Sequence, residues 1–271
     1  MSSDVDHADL VRFLSIERLA TFERITSSRG EAISLHQQTL RLGSHLMVVI
    51  GVIEVALRNA ICEKLKAHYS QPQWLIDPPT GLVWDSNDKG KITLAIRSAQ
   101  REIYAKMSQA DKRSLDNLAF PEGVPSFSGK DGHKQQTNKR QAQISVGIGQ
   151  IVAQLTLYFW KRLYSKEYAN VLWQPLKTIF PNKMLTRANV AEQLERLYQS
   201  RNRIAHHEPI FGRRLTETLD AIEFFLSNFD GKDEQGVSHI SKLLSEDYER
   251  LKMSAAELDT RIASFKVPVE S

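Results

Sequence analysis

The chain has 271 residues, 41% of them hydrophobic and 25% charged, which suffices for a sizeable buried core within one large domain or two small ones. Its net charge of +4 and pI of about 9.1 make a mildly basic balance, compatible with nucleic acid but too weak to demonstrate it. A lone cysteine, Cys62, excludes an intramolecular disulfide and a cysteine metal cluster, and reads as a small buried hydrophobe. The first residues are polar and acidic, without a signal-peptide pattern. The most apolar run, Leu46 to Ile53, meets Glu54 well short of the ~20 residues that a spanning helix needs. The expectation is a soluble cytoplasmic protein with no membrane partner.

Helical periodicity dominates from the start. Leu10, Phe13, Leu14, Leu19 and Phe22 predict a first helix ending near Ser27–Gly30. Residues 35–65 form a long helical pattern, read as one helix or as two broken near Gly43, with Leu42, Leu46, Val49, Ile53, Leu57 and Ile61 at the spacing of a buried face. Several of these residues are β-branched, so a short strand competes, but the long period favours helix. Asp77-Pro78-Pro79-Thr80-Gly81 is a firm break. A helix resumes from Lys89 to about Met107. Residues 121–143 read as a flexible basic insert that carries Lys130, His133, Lys134, Lys139 and Arg140 with few apolar anchors. Gln150 to Leu163 is predicted as one strongly apolar helix. Apolar content continues through Trp173, Leu176 and Phe180 to Pro181. Asn189 can cap a helix that runs to about His207. Two more helices follow, over Leu215–Phe229 and Ile240–Phe265. No βαβ unit, phosphate loop or internal repeat is seen. The fold class is all-α, a single domain over 1–271 built as a helical bundle with one irregular insert.

The segment Arg201-Asn202-Arg203-Ile204-Ala205-His206-His207 concentrates the chemistry. Stepping ~100° per residue from Leu194 puts Val190, Leu197, Tyr198 and Ala205 on one apolar stripe, with Arg201 about 20° from its centre. Burying an unpaired guanidinium there costs several kcal/mol. Arg201 therefore needs a carboxylate such as Glu54, a wet cleft or a second subunit. Asn202 and His206 are one turn apart and can touch; Arg203 and His207 form a second such pair. Pro209 disfavours helix at Glu208, so both histidines fall in the last turn. The helix dipole there favours protonated imidazole, while the nearby arginines oppose it.

Arginine offers a planar cation suited to phosphate, and histidine a group that exchanges protons near neutral pH. Zinc would want histidines one turn apart with further ligands, and these are adjacent. No nucleophile elbow and no carboxylate pair accompany them. The surrounding cations, Lys183, Arg187, Arg196, Arg213 and Arg214, outnumber the nearby acids Glu192, Glu195 and Glu208, as a polyanion partner would require.

Arg201-Asn202-Arg203-Ile204-Ala205-His206 resembles the Arg-x4-His signature of the HEPN superfamily of all-α ribonucleases. The chain over roughly 30–215 resembles its Abi-like (abortive infection) family. The resemblance rests on Glu54-Val55-Ala56-Leu57-Arg58-Asn59, Phe159-Trp160, Leu172-Trp173, Phe180-Pro181-Asn182 and the run from Arg201 to Ile210. It implies a HEPN-like bundle and a metal-independent endoribonuclease, without cofactor, that serves as a toxin or in antiphage defence. The implied partners are an RNA substrate, a second copy of the chain completing a composite site, and an RNA or protein antitoxin. In the implied mechanism His206 transfers protons, Arg201 stabilises the phosphorane and Asn202 orients either, leaving a 2′,3′-cyclic phosphate and a 5′-OH. His207 and Arg203 stand second, for catalysis or substrate binding. Glu54, Arg58 and Asn59 read as supporting residues, with Glu54 able to bridge Arg58. The competing function is a non-catalytic RNA-binding or protein-interaction module on the same fold.

Overall fold

A computed structural model describes residues 12–126 and 129–265. The chain is all-α. In order come α1 (Ile16–Glu23), α2 (Arg29–Tyr69), α3 (Ser86–Lys106), α4 (Gln109–Ser114), α5 (Asp116–Ala119), α6 (Gly129–Ala142), α7 (Ile148–Gln154), α8 (Leu157–Arg162), α9 (Ala169–Leu176), a 3-10 turn (Lys177–Ile179), α10 (Arg187–Ala205), α11 (Arg213–Asn228), α12 (His239–Leu243) and α13 (Ser245–Ser264). One isolated β-bridge, Lys232 to Ser238, is the exception among the described residues. Where the sequence reads as one domain, contacts divide the chain into two compact units. One runs up to Leu57 and resumes at Lys177; the other is Arg58–Leu176.

The first unit is organised on α2. Leu35, Leu42, Leu46, Val49, Ile50 and Ile53 are all essentially inaccessible to solvent. By length and composition α2 is also apolar enough to cross a membrane, with a mean hydropathy of 1.8 over 18 residues, a longer apolar stretch than the run ending at Glu54 suggested. Gly43 does not break the helix. A methyl group there would lie 3.3 Å from Ile204 Cγ2, so the missing side chain lets α10 approach α2 closely. From α1, Leu19 and Phe22 are buried, while Phe13, predicted on the same face, is 74% exposed; Leu10 lies outside the described residues. A cluster of Phe180, Phe224, Phe225 and Phe229, with ring centroids 5.3–6.3 Å apart, seats α11. Leu251, Ala255 and Leu258 seat α13.

α10 starts with a capping box. Thr186 Oγ1 accepts from Asn189 N (3.2 Å) and Asn189 Oδ1 from Thr186 N (3.0 Å), so Thr186 is the cap and Asn189 its reciprocal partner. Its buried residues are Val190, Leu194, Leu197 and Ser200. Ser200 Oγ lies 2.6 Å from Thr218 Oγ1 on α11. Thr218 has one hydroxyl proton and donates it to the Arg214 carbonyl (2.7 Å), so Ser200 is the donor to Thr218. This buried relay ties α10 to α11 one residue before Arg201.

In the second unit Asp85 caps α3, accepting from Asp88 N (2.7 Å). Trp84 packs against Trp74, Phe159 and Tyr168. The wholly buried Asp88 accepts from Tyr168 Oη (2.7 Å) and Arg162 Nη2 (3.2 Å). The stretch predicted as one helix over 150–163 is two, α7 and α8, because the backbone is extended at Leu155 and Thr156. Within the predicted irregular insert, 129–142 forms α6. It buries no residue, and a forked pair of 2.6 Å bonds from Arg140 to Asp116 holds it. Burial pushes the Cys62 thiol up to about 11, so it is not a reactive thiolate.

Ser200→Ala should cost about 1 kcal/mol in urea unfolding, since it removes one buried hydrogen bond without opening a large cavity. A cost no larger than that of an exposed serine substitution would disprove the relay.

Candidate functional site

The end of α10 builds the site. His206 is the cap residue and His207 the residue beyond it, with φ of 56° in the left-handed region. Glu208 N donates to the Arg203 carbonyl (2.8 Å) and His207 N to the Ile204 carbonyl (2.9 Å). These are the paired 6→1 and 5→2 bonds of a Schellman motif, in which glycine usually holds the left-handed position. A side chain there costs about 1–2 kcal/mol. Two ion-assisted contacts keep the turn closed. Arg203 Nη1 pairs with Glu208 Oε2 at 2.9 Å, and Arg18 Nη1, from α1, donates to the His207 carbonyl at 3.3 Å. Pro209 prevents the helix from continuing.

The turn forms one wall of a cleft of about 550 Å³, lined among others by Glu17, Arg18, Arg203, His207, Glu208 and Arg214. Glu208 is engaged by Arg203. Among the described residues, Arg18 and Arg214 have no carboxylate partner. The cleft thus joins an imidazole to two guanidiniums whose charge is not neutralised by an ion pair, the composition that suits a phosphate group.

The predicted residues divide around this cleft. His207, Arg203 and Arg214 line it; Arg201, Asn202 and His206 do not. Arg201 is half-buried instead of lying at the centre of the buried stripe, because the stripe turns onto Ser200, and Ala205 is exposed. Arg201 forms no ion pair with any described residue. Asn202 is half-buried and His206 exposed. No hydrogen bond joins their side chains among the described residues.

Of the basic surround, Arg196 is tied to Glu192 and Arg213 to Glu217, each at 2.8 Å. Lys183 is exposed, and Arg187 opens α10, about 24 Å along the axis from Arg203. These two cations belong to the far end of the helix. Glu54 and Arg58 are half-buried and Asn59 is exposed, and none of the three lines the cleft. Arg58 Nε is buried with no hydrogen-bond partner among the described residues, so the bridge to Glu54 is not made through that nitrogen.

Arg18 and Glu17 escape sequence reasoning. They reach the cleft only through the packing of α1, 189 positions away in the case of Arg18 and His207. A second histidine supports that packing. His36 is 2% exposed, with its ring edge-on to Phe22 at 5.4 Å. Neither of its ring nitrogens has a hydrogen-bond partner among the described residues. Burial first, and then the charge of Arg18, lower its pKa below the ordinary 6.5.

Among the described residues no group of three or more His, Cys, Asp or Glu side chains is placed to hold a metal ion. No family model, no curated protein and no solved structure matches the chain.

Two measurements test these features. At the left-handed position, His207→Gly should be about 1 kcal/mol more stable than His207→Ala, because only the methyl side chain is strained there; equal melting temperatures would remove the strain argument. A depressed histidine pKa means that the unfolded chain binds the proton first. His36 therefore contributes stability that is complete above pH 6.5 and is lost as the pH falls towards its lower folded value. The melting temperature of wild type should drop between pH 7.5 and 5 more than that of His36→Leu; parallel curves would show that His36 does not titrate with folding.

Proposed function

We propose that the protein is a metal-independent endoribonuclease of the Abi-like HEPN type, a toxin or defence enzyme of the cytoplasm, working as a homodimer on RNA. The observation that carries this reading is His207, a histidine kept in a backbone conformation made for glycine, beside Arg18 and Arg214 in a cleft suited to phosphate. Strain of this kind is retained where a side chain has work to do.

The reaction needs a base to take the ribose 2′-OH proton. The 2′-oxygen attacks the adjacent phosphorus, the bond from phosphorus to the 5′-oxygen breaks, and an acid protonates the leaving oxygen. Successive imidazoles, His206 and His207, suit these two proton transfers. Guanidinium groups suit the doubly charged phosphorane, a role assigned to Arg201 with Arg203 or Arg214 in support, and Asn202 orients its neighbours. Sharing the cleft with unpaired arginines supports a proton-transfer role for His207 beside His206. The RNA or protein antitoxin remains the class of partner that such a toxin requires.

An apolar groove of about 490 Å³ supports the dimer. Leu40, Gly43, Met47 and Val48 of α2 line it with Ile204 and Pro209, and His207 and Glu208 belong to both groove and cleft. Leu40 and Val48 are 41% and 48% exposed. A second copy covering this face would bring its own helix end towards the first, where Arg201 waits half-buried without a partner among the described residues.

The second reading, a non-catalytic RNA-binding or protein-interaction module, is favoured by one observation: Arg201, Asn202 and His206 line neither cleft nor groove. Incubation with RNA in EDTA separates the two. Wild type should yield fragments ending in 2′,3′-cyclic phosphate. Arg201→Ala, His206→Ala and His207→Ala should each slow cleavage by about 10²–10⁴-fold. Salt-sensitive binding without any cut product would establish the second reading. Cleavage by all three variants at the wild-type rate would move the active site elsewhere.

A further inference from the structure

A second basic cleft lies on the same unit, outside the site described above. Its volume is about 390 Å³, and its walls include Gln38, Arg41 and His45 of α2 and Arg250, Glu257 and Arg261 of α13. The helical pattern explains how it forms. Leu42 and Leu46 on α2 are buried, as are Leu251, Ala255 and Leu258 on α13. Positions 38, 41 and 45 make an adjacent stripe on α2, and 250, 254, 257 and 261 do the same on α13. These rows would ordinarily extend an apolar seam. Here they carry amide, guanidinium, imidazole, hydroxyl and carboxylate groups, and a polar cleft lies between the two helices.

Its charges are not balanced. Arg41 is exposed and has no ion-pair partner among the described residues. Arg261 Nη1 crosses the cleft to a neutral acceptor, Gln38 Oε1, at 3.2 Å. Arg250 is held by Glu246 (3.3 Å) and Asp247 (3.8 Å) on its own helix. Glu257 is the carboxylate among the residues lining the cleft. His45 Nδ1 is buried and has no hydrogen-bond partner among the described residues. Two arginines without an ion-paired carboxylate, on the two helices that line the cleft, with an imidazole and an amide on the same lining, form a receptor for a compact divalent anion.

We infer that this cleft binds a phosphate group, through Arg41 and Arg261 with Arg250 and His45 beside them. The phosphate comes either from a nucleic-acid strand lying along the surface or from a free nucleotide. The site requires a phosphate group but no cleavage, so it stands apart from the catalytic reading.

The test uses the full chain and the double variant R41Q/R261Q, with Arg101→Gln as an exposed control. Three ligands are titrated: a 12-nucleotide single-stranded RNA, AMP and inorganic phosphate. For a strand phosphate, the double variant should bind the RNA at least about fivefold more weakly at low salt, with a log–log salt slope reduced by about 1, and the control should not change. For a free nucleotide, AMP and phosphate binding should be lost while RNA binding holds. In either case Glu257→Gln should tighten binding two- to fivefold, because it removes the carboxylate that opposes the ligand. If R41Q/R261Q keeps its melting temperature and binds all three ligands as wild type does, the site is refuted. Absence of RNA cleavage by the wild type, with the expected change of affinity in R41Q/R261Q, would count against the catalytic proposal alone.

Discussion

Everything near the candidate site is referred to the place where α10 meets α2. Gly43 has no side chain, and a methyl group there would sit at the limit of contact with Ile204. Because the helices can come this close, the last turn of α10 is held against a long, buried rod. It unwinds at a defined residue, Ala205. The loop that follows then has two bonds to close, Glu208 N to Arg203 and His207 N to Ile204, and only a left-handed residue at 207 closes both. The strain at His207 belongs to that closure, and the ion pair of Arg203 with Glu208 and, through the packing of α1, the reach of Arg18 hold it.

Much of this was legible in the residues. The three-and-four spacing on α2 marked its buried face correctly, and the polar stop at Pro209 fixed the end of α10 within two residues. All-helical character followed from the same periodicity. The rest was hidden for identifiable reasons. Glycine weakens a helix on average, so Gly43 read as a break, whereas its lack of a side chain serves packing between elements. The apolar run over 150–163 has helical composition throughout. The extended backbone at Leu155 and Thr156 arises from tertiary packing, which composition does not record. The 129–142 stretch has no apolar face, and it is helical without burying a single residue.

The candidate site divides in the same way. A rotation of 100° per residue placed Arg201 on the apolar stripe, and the stripe does approach it. But the stripe drifts, and Ser200 takes the buried place because Thr218 supplies a hydrogen-bond partner. Small helical offsets of this kind cannot be resolved from spacing. Cation counts along the chain also overstated the cluster. Four-residue spacing joins Arg196 to Glu192 and Arg213 to Glu217, and the length of α10 carries Lys183 and Arg187 away from its end. Arg18 was beyond reach, since nothing in a short amphipathic segment announces a contact with a carbonyl far along the chain.

α2 has a further bearing on how the chain can vary. It is one uninterrupted helix of 41 residues, and its buried positions continue from Leu35 through Ile53 to Leu57, Ile61 and Leu65. Adding or removing a single residue within it would turn every later side chain by about 100° and shift it by about 1.5 Å. Connecting segments elsewhere can absorb a change of length. Along α2 there is none, so the phase of its buried positions is locked from one end to the other. Sequences descended from this one should differ in length at the connections and be constant in length across residues 29–69.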